Sequence, residues 1–197
     1  MELKPKLAVI GGSGFEQLFL TSQQLSIETP YGLVSDLSAG RVGDQDFIFL
    51  SRHSSEHSIP PHKVNYRANI WALSSLGVER IISINAVGAI NSTFKVCDVV
   101  VPHDFVDFTR FRPTTFYDNA PVTHIDMSVP YCPEIRAVVL DKLKCSDLCV
   151  WEKAVLLCTE GPRFETPAEI EMFRRLGCDV VGMTGLPEAV LARELEM

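Results

Sequence analysis

"AVLLCTEGPRFETPAEIEMFRRLGCDVVGMTG", residues 154–185, contains a complete strand–helix–strand reading. "AVLLCTEG" (154–161) is a short apolar run closed by a glycine, the pattern of a buried strand. In "TPAEIEMFRRLG" (166–177), Thr166 is placed to cap a helix, Pro167 takes its first position and Glu169 completes a capping box. Gly177 ends that helix, and "DVVGMTG" (179–185) returns as a strand. "LPEAVLAREL" (186–195) then opens a further helix, with Pro187 and Glu188 in its first turn.

The same alternation extends towards the N-terminus. "LAVIGG" (7–12) and "DFIFLS" (46–51) read as strands, and "NYRANIWALSSLG" (65–77) as a helix stopped by Gly77. "RIISINAVGAI" (80–90) and "DVVVPHDFVDF" (98–108) are β-rich, and "PEIRAVVLDKLK" (133–144) is an amphipathic helix. The expectation is an α/β fold: a single domain, residues 1–197, with a central mixed β-sheet flanked by helices. Such sheets bind ligands in the loops beyond their strand ends.

The 197 residues are 46% hydrophobic and 22% charged, as in an ordinary globular domain, and no apolar run is long enough to span a bilayer. A net charge of -7 argues against a nucleic-acid binder with a broad basic surface. The opening residues lack a signal peptide's apolar core, and the six cysteines form no CxxC pair. Buried, reduced thiols in a cytoplasmic protein are therefore expected.

"SRHSSEHSIPPHKVNY" (51–66) gathers three of the five histidines. His53, His57 and His62 are interrupted by Pro60 and Pro61, and no second ligand set stands at zinc spacing, so no metal is expected. Arg52 and His53, at a strand end, suit an oxyanion: one offers a rigid fork of donors, the other a donor in either protonation state. "GGSG" (11–14) offers converging backbone N–H groups and Ser13, but it is neither a complete dinucleotide fingerprint nor a P-loop. Asn85-Ala86 and Thr184 add donors at further strand ends, so Ser13, Arg52, His53, Ala86 and Thr184 could serve one dianion. A solvated polar loop and a tight glycine turn remain the alternatives for each stretch taken singly.

Together, "VIGGSGF", "PPHKVNYRANIWAL", "INAVGAI", "VTHIDMSVPYCP", "CTEGPRFETPAEI" and "VVGMTGLPEAVLAREL" resemble the trimeric purine nucleoside phosphorylase family, in its methylthioadenosine and methylthioinosine phosphorylase branch. The resemblance implies cleavage of a purine nucleoside by inorganic phosphate, without metal or organic cofactor, in a cytoplasmic homotrimer. It implies phosphate binding by Ser13, Arg52, His53, Ala86 and Thr184. It places Met183 on the ribose, with His124 supplied by the neighbouring subunit, and puts Phe164, Glu165, Val181 and Gly182 at the base. His57 is placed near the 5' pocket or in a structural loop.

Glu165 matches the glutamate that accepts N1–H of a 6-oxopurine, which favours S-methyl-5'-thioinosine, with S-methyl-5'-thioadenosine as the alternative; facing solvent or helping start the next helix is the competing role. "LARELEM" ends inside a helical pattern, where the family continues into a strand and helix that complete the base and 5' pockets. A truncated domain of weak or absent turnover, retaining only phosphate binding, is the non-enzymatic expectation.

Overall fold

The computed structural model describes residues 5–12, 23–54 and 56–197. Its first sheet has the order β2-β3-β4-β1-β5, built from β1 (Leu7–Gly11), β2 (Gln23–Thr29), β3 (Gly32–Val42), β4 (Gln45–Ser51) and β5 (Arg80–Ser83). β1 runs parallel to both β4 and β5, and β2-β3-β4 is an antiparallel meander. Ala8 and Ile10, alternating along β1, are fully buried. They pack in one cluster with Leu37, Ile48 and Leu50 and with Ala68, Ile70, Ala72 and Leu73 of helix α1 (Tyr66–Ser75). Asn65 caps α1 by accepting from the Ala68 N–H, and Gly77 follows its end at φ +83°.

The second sheet has the order β6-β11-β10-β8, from β6 (Gly88–Ala89), β8 (Asp104–Phe108), β10 (Val155–Thr159) and β11 (Val180–Gly182). β8, β10 and β11 are parallel, with β6 antiparallel at the edge. A parallel ribbon joins β7 (Val99–Val100) to β9 (Val150–Trp151). The expected mixed β-structure is thus carried by two sheets and a ribbon, because "RIISINAVGAI" divides: β5 joins the first sheet and β6 the second. The expected α/β fold stands, with helices α2 (Pro133–Leu143), α3 (Pro167–Arg175) and α4 (Glu188–Glu194) completing it among the described residues.

α3 has the full capping box: the Glu169 N–H donates to Thr166 Oγ1, and Thr166 N–H donates to Glu169. α2 forms where expected but buries no residue completely, and Val138 is 60% exposed. Arg136 ties it down instead, donating to the carbonyls of Pro102 (2.9 Å) and Glu152 (2.5 Å).

The cysteines depart from expectation. All six are free, but only Cys158 and Cys178 are buried; Cys97, Cys132, Cys145 and Cys149 are exposed. The apolar neighbours of Cys132 and Cys145 belong to α2 and its flanking turns, and α2 buries no residue completely. Burial pushes the Cys158 thiol up to about 11, so it stays a neutral thiol. Among the described residues no helix is long and apolar enough to cross a membrane.

Candidate active site

Parallel pairing sets the C-terminal strand ends side by side. The register aligns Gly11 with Ser51 and Ile10 with Ser83, so the residues after β1, β4 and β5 emerge on one edge. A Cβ on Gly12 would lie 3.0 Å from Arg52 Nη1, 3.7 Å from the Ile84 carbonyl and 3.9 Å from His53 Cδ2. Gly12 is therefore glycine because three strand ends close around it. Ser13 lies outside the described residues.

Arg52 is almost wholly buried, and its fork is occupied by Glu188 on the first turn of α4. Nε donates to Glu188 Oε1 at 2.5 Å and Nη2 to Oε2 at 3.1 Å. Nη2 also donates to Ser83 Oγ at 2.7 Å, Nη1 donates to the Ile84 carbonyl at 3.2 Å, and Ser83 Oγ donates to Glu188 Oε2 at 2.7 Å. Glu188 is 4% exposed, so both charges are desolvated and each depends on the other. Asn85 Nδ2 donates to Ser83 Oγ, and Asn85 Oδ1 accepts from the Thr184 hydroxyl at 2.7 Å. One polar network thus joins the ends of β4, β5 and β11 to α4. Arg52, Asn85-Ala86 and Thr184 are brought together as the sequence suggested, although the Thr184 proton is directed at Asn85. Glu188, 136 residues from Arg52, was legible only as a helix-start residue.

His53 corrects a sequence expectation. Its Nδ1 lies 2.7 Å from the Ile59 carbonyl, which can only accept, so Nδ1 carries the proton. The neutral ring then presents a lone pair at Nε2, rather than donating there in either protonation state. Burial first, and then the nearby Arg52 and His57, hold its pKa below the ordinary histidine value. The exposed His57 ring lies 4.9 Å from that of His53, and its backbone has φ +54°. Among the described residues no group of three or more His, Cys, Asp or Glu side chains is placed to hold a metal ion.

Beyond β10, residues 160–166 form a loop anchored at both ends. Arg112, buried and unremarked by any local sequence signal, donates to the carbonyls of Thr159 (3.2 Å), Glu160 (2.7 Å) and Leu186 (2.6 Å) and to Tyr66 Oη (3.1 Å). Glu160 accepts from the Arg110 N–H at 2.7 Å and from Arg112 Nε at 3.3 Å. Gly161 has φ +64°, and a Cβ there would lie 2.7 Å from Met183 Sδ, so the loop rests directly on half-buried Met183. At the far end, Arg163 makes a two-point pair with Glu169, the capping glutamate of α3. Those hydrogen bonds hold the Glu169 carboxyl down at about 2.

Glu165 does not take the helix-starting role. Helix capping belongs to Glu169, and half-buried Glu165 accepts from Thr159 Oγ1 at 2.7 Å. Phe164 is 84% exposed. The Val181 side chain is buried with Ile90, Leu157, Phe173 and Cys178 in a core cluster, so only its backbone is free to meet a ligand. Gly182 is closed in by Val87, 3.2 Å from the position of an added Cβ. Exposed His124 stands apart from the Arg52 network, lining an open cavity of about 570 Å³ with Thr114, Tyr117, Val122 and Glu194.

A sequence profile described as the phosphorylase superfamily matches residues 6–197. A probable S-methyl-5'-thioinosine phosphorylase of Methanopyrus kandleri is 52% identical over 193 residues, covering 98% of this chain and 74% of the relative. A 6-oxopurine nucleoside phosphorylase of Pyrococcus furiosus is 50% identical over 201 residues, covering 98% and 76%. Among solved structures, a methylthioadenosine phosphorylase from Schistosoma mansoni in complex with tubercidin superposes with a TM-score of 0.91 at 36% identity, covering 98% of this chain and 77% of that one. The chain belongs to the phosphorylase superfamily, in its methylthioinosine and methylthioadenosine phosphorylase branch.

Proposed function

We propose that this purine nucleoside phosphorylase acts on a 6-oxopurine nucleoside, S-methyl-5'-thioinosine first, and releases hypoxanthine and 5-methylthioribose 1-phosphate. The observation that carries the choice of base is Glu165, held by Thr159 inside the loop rather than spent on the helix cap. Its carboxylate accepts N1–H of a 6-oxopurine. Adenine has a lone pair at N1 and would leave that acceptor facing another, at a cost of about 1–3 kcal/mol. The relatives named as thioinosine and 6-oxopurine phosphorylases support this reading, whereas the solved neighbour supports the methylthioadenosine alternative.

Phosphate takes the edge where Gly12, Arg52, His53, Ala86 and Thr184 meet, with Ser13 next to Gly12 in sequence. Arg52 enters as a fixed donor whose charge Glu188 already balances. Neutral His53 accepts the hydroxyl of HPO₄²⁻ at Nε2, while Thr184 turns its hydroxyl from Asn85 to the anion. Met183, under the Gly161 turn, lies against the sugar between phosphate and base. As the C1'–N9 bond breaks, its electron pair leaves with the purine, which is released as neutral hypoxanthine once it gains the proton that HPO₄²⁻ gives up in forming the sugar phosphate. The dianion stabilises the positive sugar before a phosphate oxygen bonds to C1'. Every protein group here positions or polarises, and none becomes covalently attached. Three copies assemble so that His124 of one covers the sugar of the next, in the cytoplasm, with no metal or organic cofactor.

The test is phosphate-dependent cleavage of S-methyl-5'-thioinosine, S-methyl-5'-thioadenosine and inosine, with a phosphate-free control. Faster phosphate-dependent cleavage of thioinosine than of thioadenosine is expected. The opposite order would keep the chemistry and remove the assignment to Glu165.

A further inference from the structure

Thr159 is the last residue of β10, and its place is determined twice over. Its backbone is fixed by sheet pairing with Phe108, and its carbonyl accepts from buried Arg112 at 3.2 Å. The hydroxyl then donates across six positions to Glu165 Oε1 at 2.7 Å. The nearest competing cation, Arg163, is engaged by both carboxylate oxygens of Glu169. Among the described residues, Glu165 Oε2 has no hydrogen-bond partner. The carboxylate therefore has one oxygen tethered to the sheet and one left as an acceptor.

We infer that Thr159 is a specificity-determining residue: by tethering one oxygen of Glu165 to the end of β10, it aims the other at the purine N1 and sets the preference for 6-oxopurines. The inference rests on Glu165 being the base reader. A free glutamate can swing away from adenine and lose little, whereas a tethered one cannot retreat. Losing the tether therefore weakens hypoxanthine binding and relieves the penalty on adenine. Thr159 itself need not touch the base, so it acts as a positioning residue through Glu165.

The experiment compares Thr159→Val, Thr159→Ala, Thr159→Ser and Glu165→Gln with the parent chain. Calorimetric titration with hypoxanthine, adenine and inorganic phosphate serves as the probe, alongside the kcat/KM ratio for thioinosine over thioadenosine. Thr159→Val removes the hydroxyl at constant shape, and Thr159→Ala does so without adding a methyl, so the effect does not hang on the folding of one variant. Both are expected to cut the hypoxanthine-to-adenine preference about tenfold. Thr159→Ser should restore it to within about twofold, and phosphate affinity should hold throughout. Thr159→Val in the Glu165→Gln background should add nothing further.

If Glu165→Gln destroys the preference and Thr159→Val leaves it intact, this inference falls while the role of Glu165 stands. If Glu165→Gln leaves the preference unchanged, or the parent shows none, the reading of Glu165 falls and takes the tether with it. A loss of phosphate affinity equal to the loss for hypoxanthine would make Thr159 a general structural residue and would also overturn the inference.

Discussion

At the scale of single residues, the Arg52–Glu188 pair sets the largest energetic stakes. Removing one member of a buried, two-point ion pair strands the other charge away from water. Glu188→Ala is expected to cost about 3–5 kcal/mol in urea unfolding. The double replacement Arg52→Met with Glu188→Leu should recover most of it, since apolar residues of similar volume remove both charges. His53 gives a pH signature. Its folded pKa is lowered, so between that value and about 6.5 the unfolded chain binds more protons than the folded one. The contribution is complete above about pH 6.5 and is lost as pH falls through that window. Melting temperature should drop from pH 7.5 to 5.5, and His53→Asn should flatten the drop relative to the parent. Gly161→Ala places a side chain at φ +64° and against Met183. A stability loss of about 1–2 kcal/mol is expected, with a raised KM for nucleoside and an unchanged KM for phosphate.

At the scale of elements, local chemistry decided most of what forms. The Thr166–Glu169 capping box is present in full, and Thr166→Ala should cost about 1 kcal/mol, read as a lower urea midpoint at constant slope. α1, α3 and the strands around them were legible because caps, glycine stops and apolar runs lie within a few residues of one another. The β2-β3 hairpin was missed, although its signal was present. Leu25, Ile27 and Thr29 alternate inward, and the Pro30-Tyr31-Gly32 turn is closed by Thr29 Oγ1 donating to the Gly32 carbonyl at 2.6 Å. α2 shows the converse. Its spacing announced an apolar face, but the helix is held chiefly by Arg136 hydrogen bonds to carbonyls far along the chain.

At the scale of the whole molecule, the edge proposed to take phosphate exists only because two sheets and α4 meet there. A ligand that binds this assembled edge and not the unfolded chain stabilises the fold by mass action. Phosphate at a hundred times its Kd should add about 2.7 kcal/mol, or roughly 5–10 °C in melting temperature. Arg52→Met should abolish that gain while chloride at equal ionic strength gives none. Exposed Phe111 and Val122, at 86% and 82%, lie on or near the segment carrying His124. Sedimentation at the mass of three chains, lost on Phe111→Asp, is the expected result if the proposed trimer forms.

The sequence by itself determined the strand–helix alternation, the helix caps and the residue types gathered at strand ends. Each of these depends on neighbours in the chain and on a period of two or 3.6. Only the tertiary structure decided which strand ends meet, that Glu188 occupies the fork of Arg52, that Ile59 fixes the His53 tautomer, and that Thr159 donates to Glu165. The physical reason is sequence distance. A hydrogen bond across 136 residues leaves no local pattern, because its donor geometry comes from sheet register and its strength from burial that no single segment supplies.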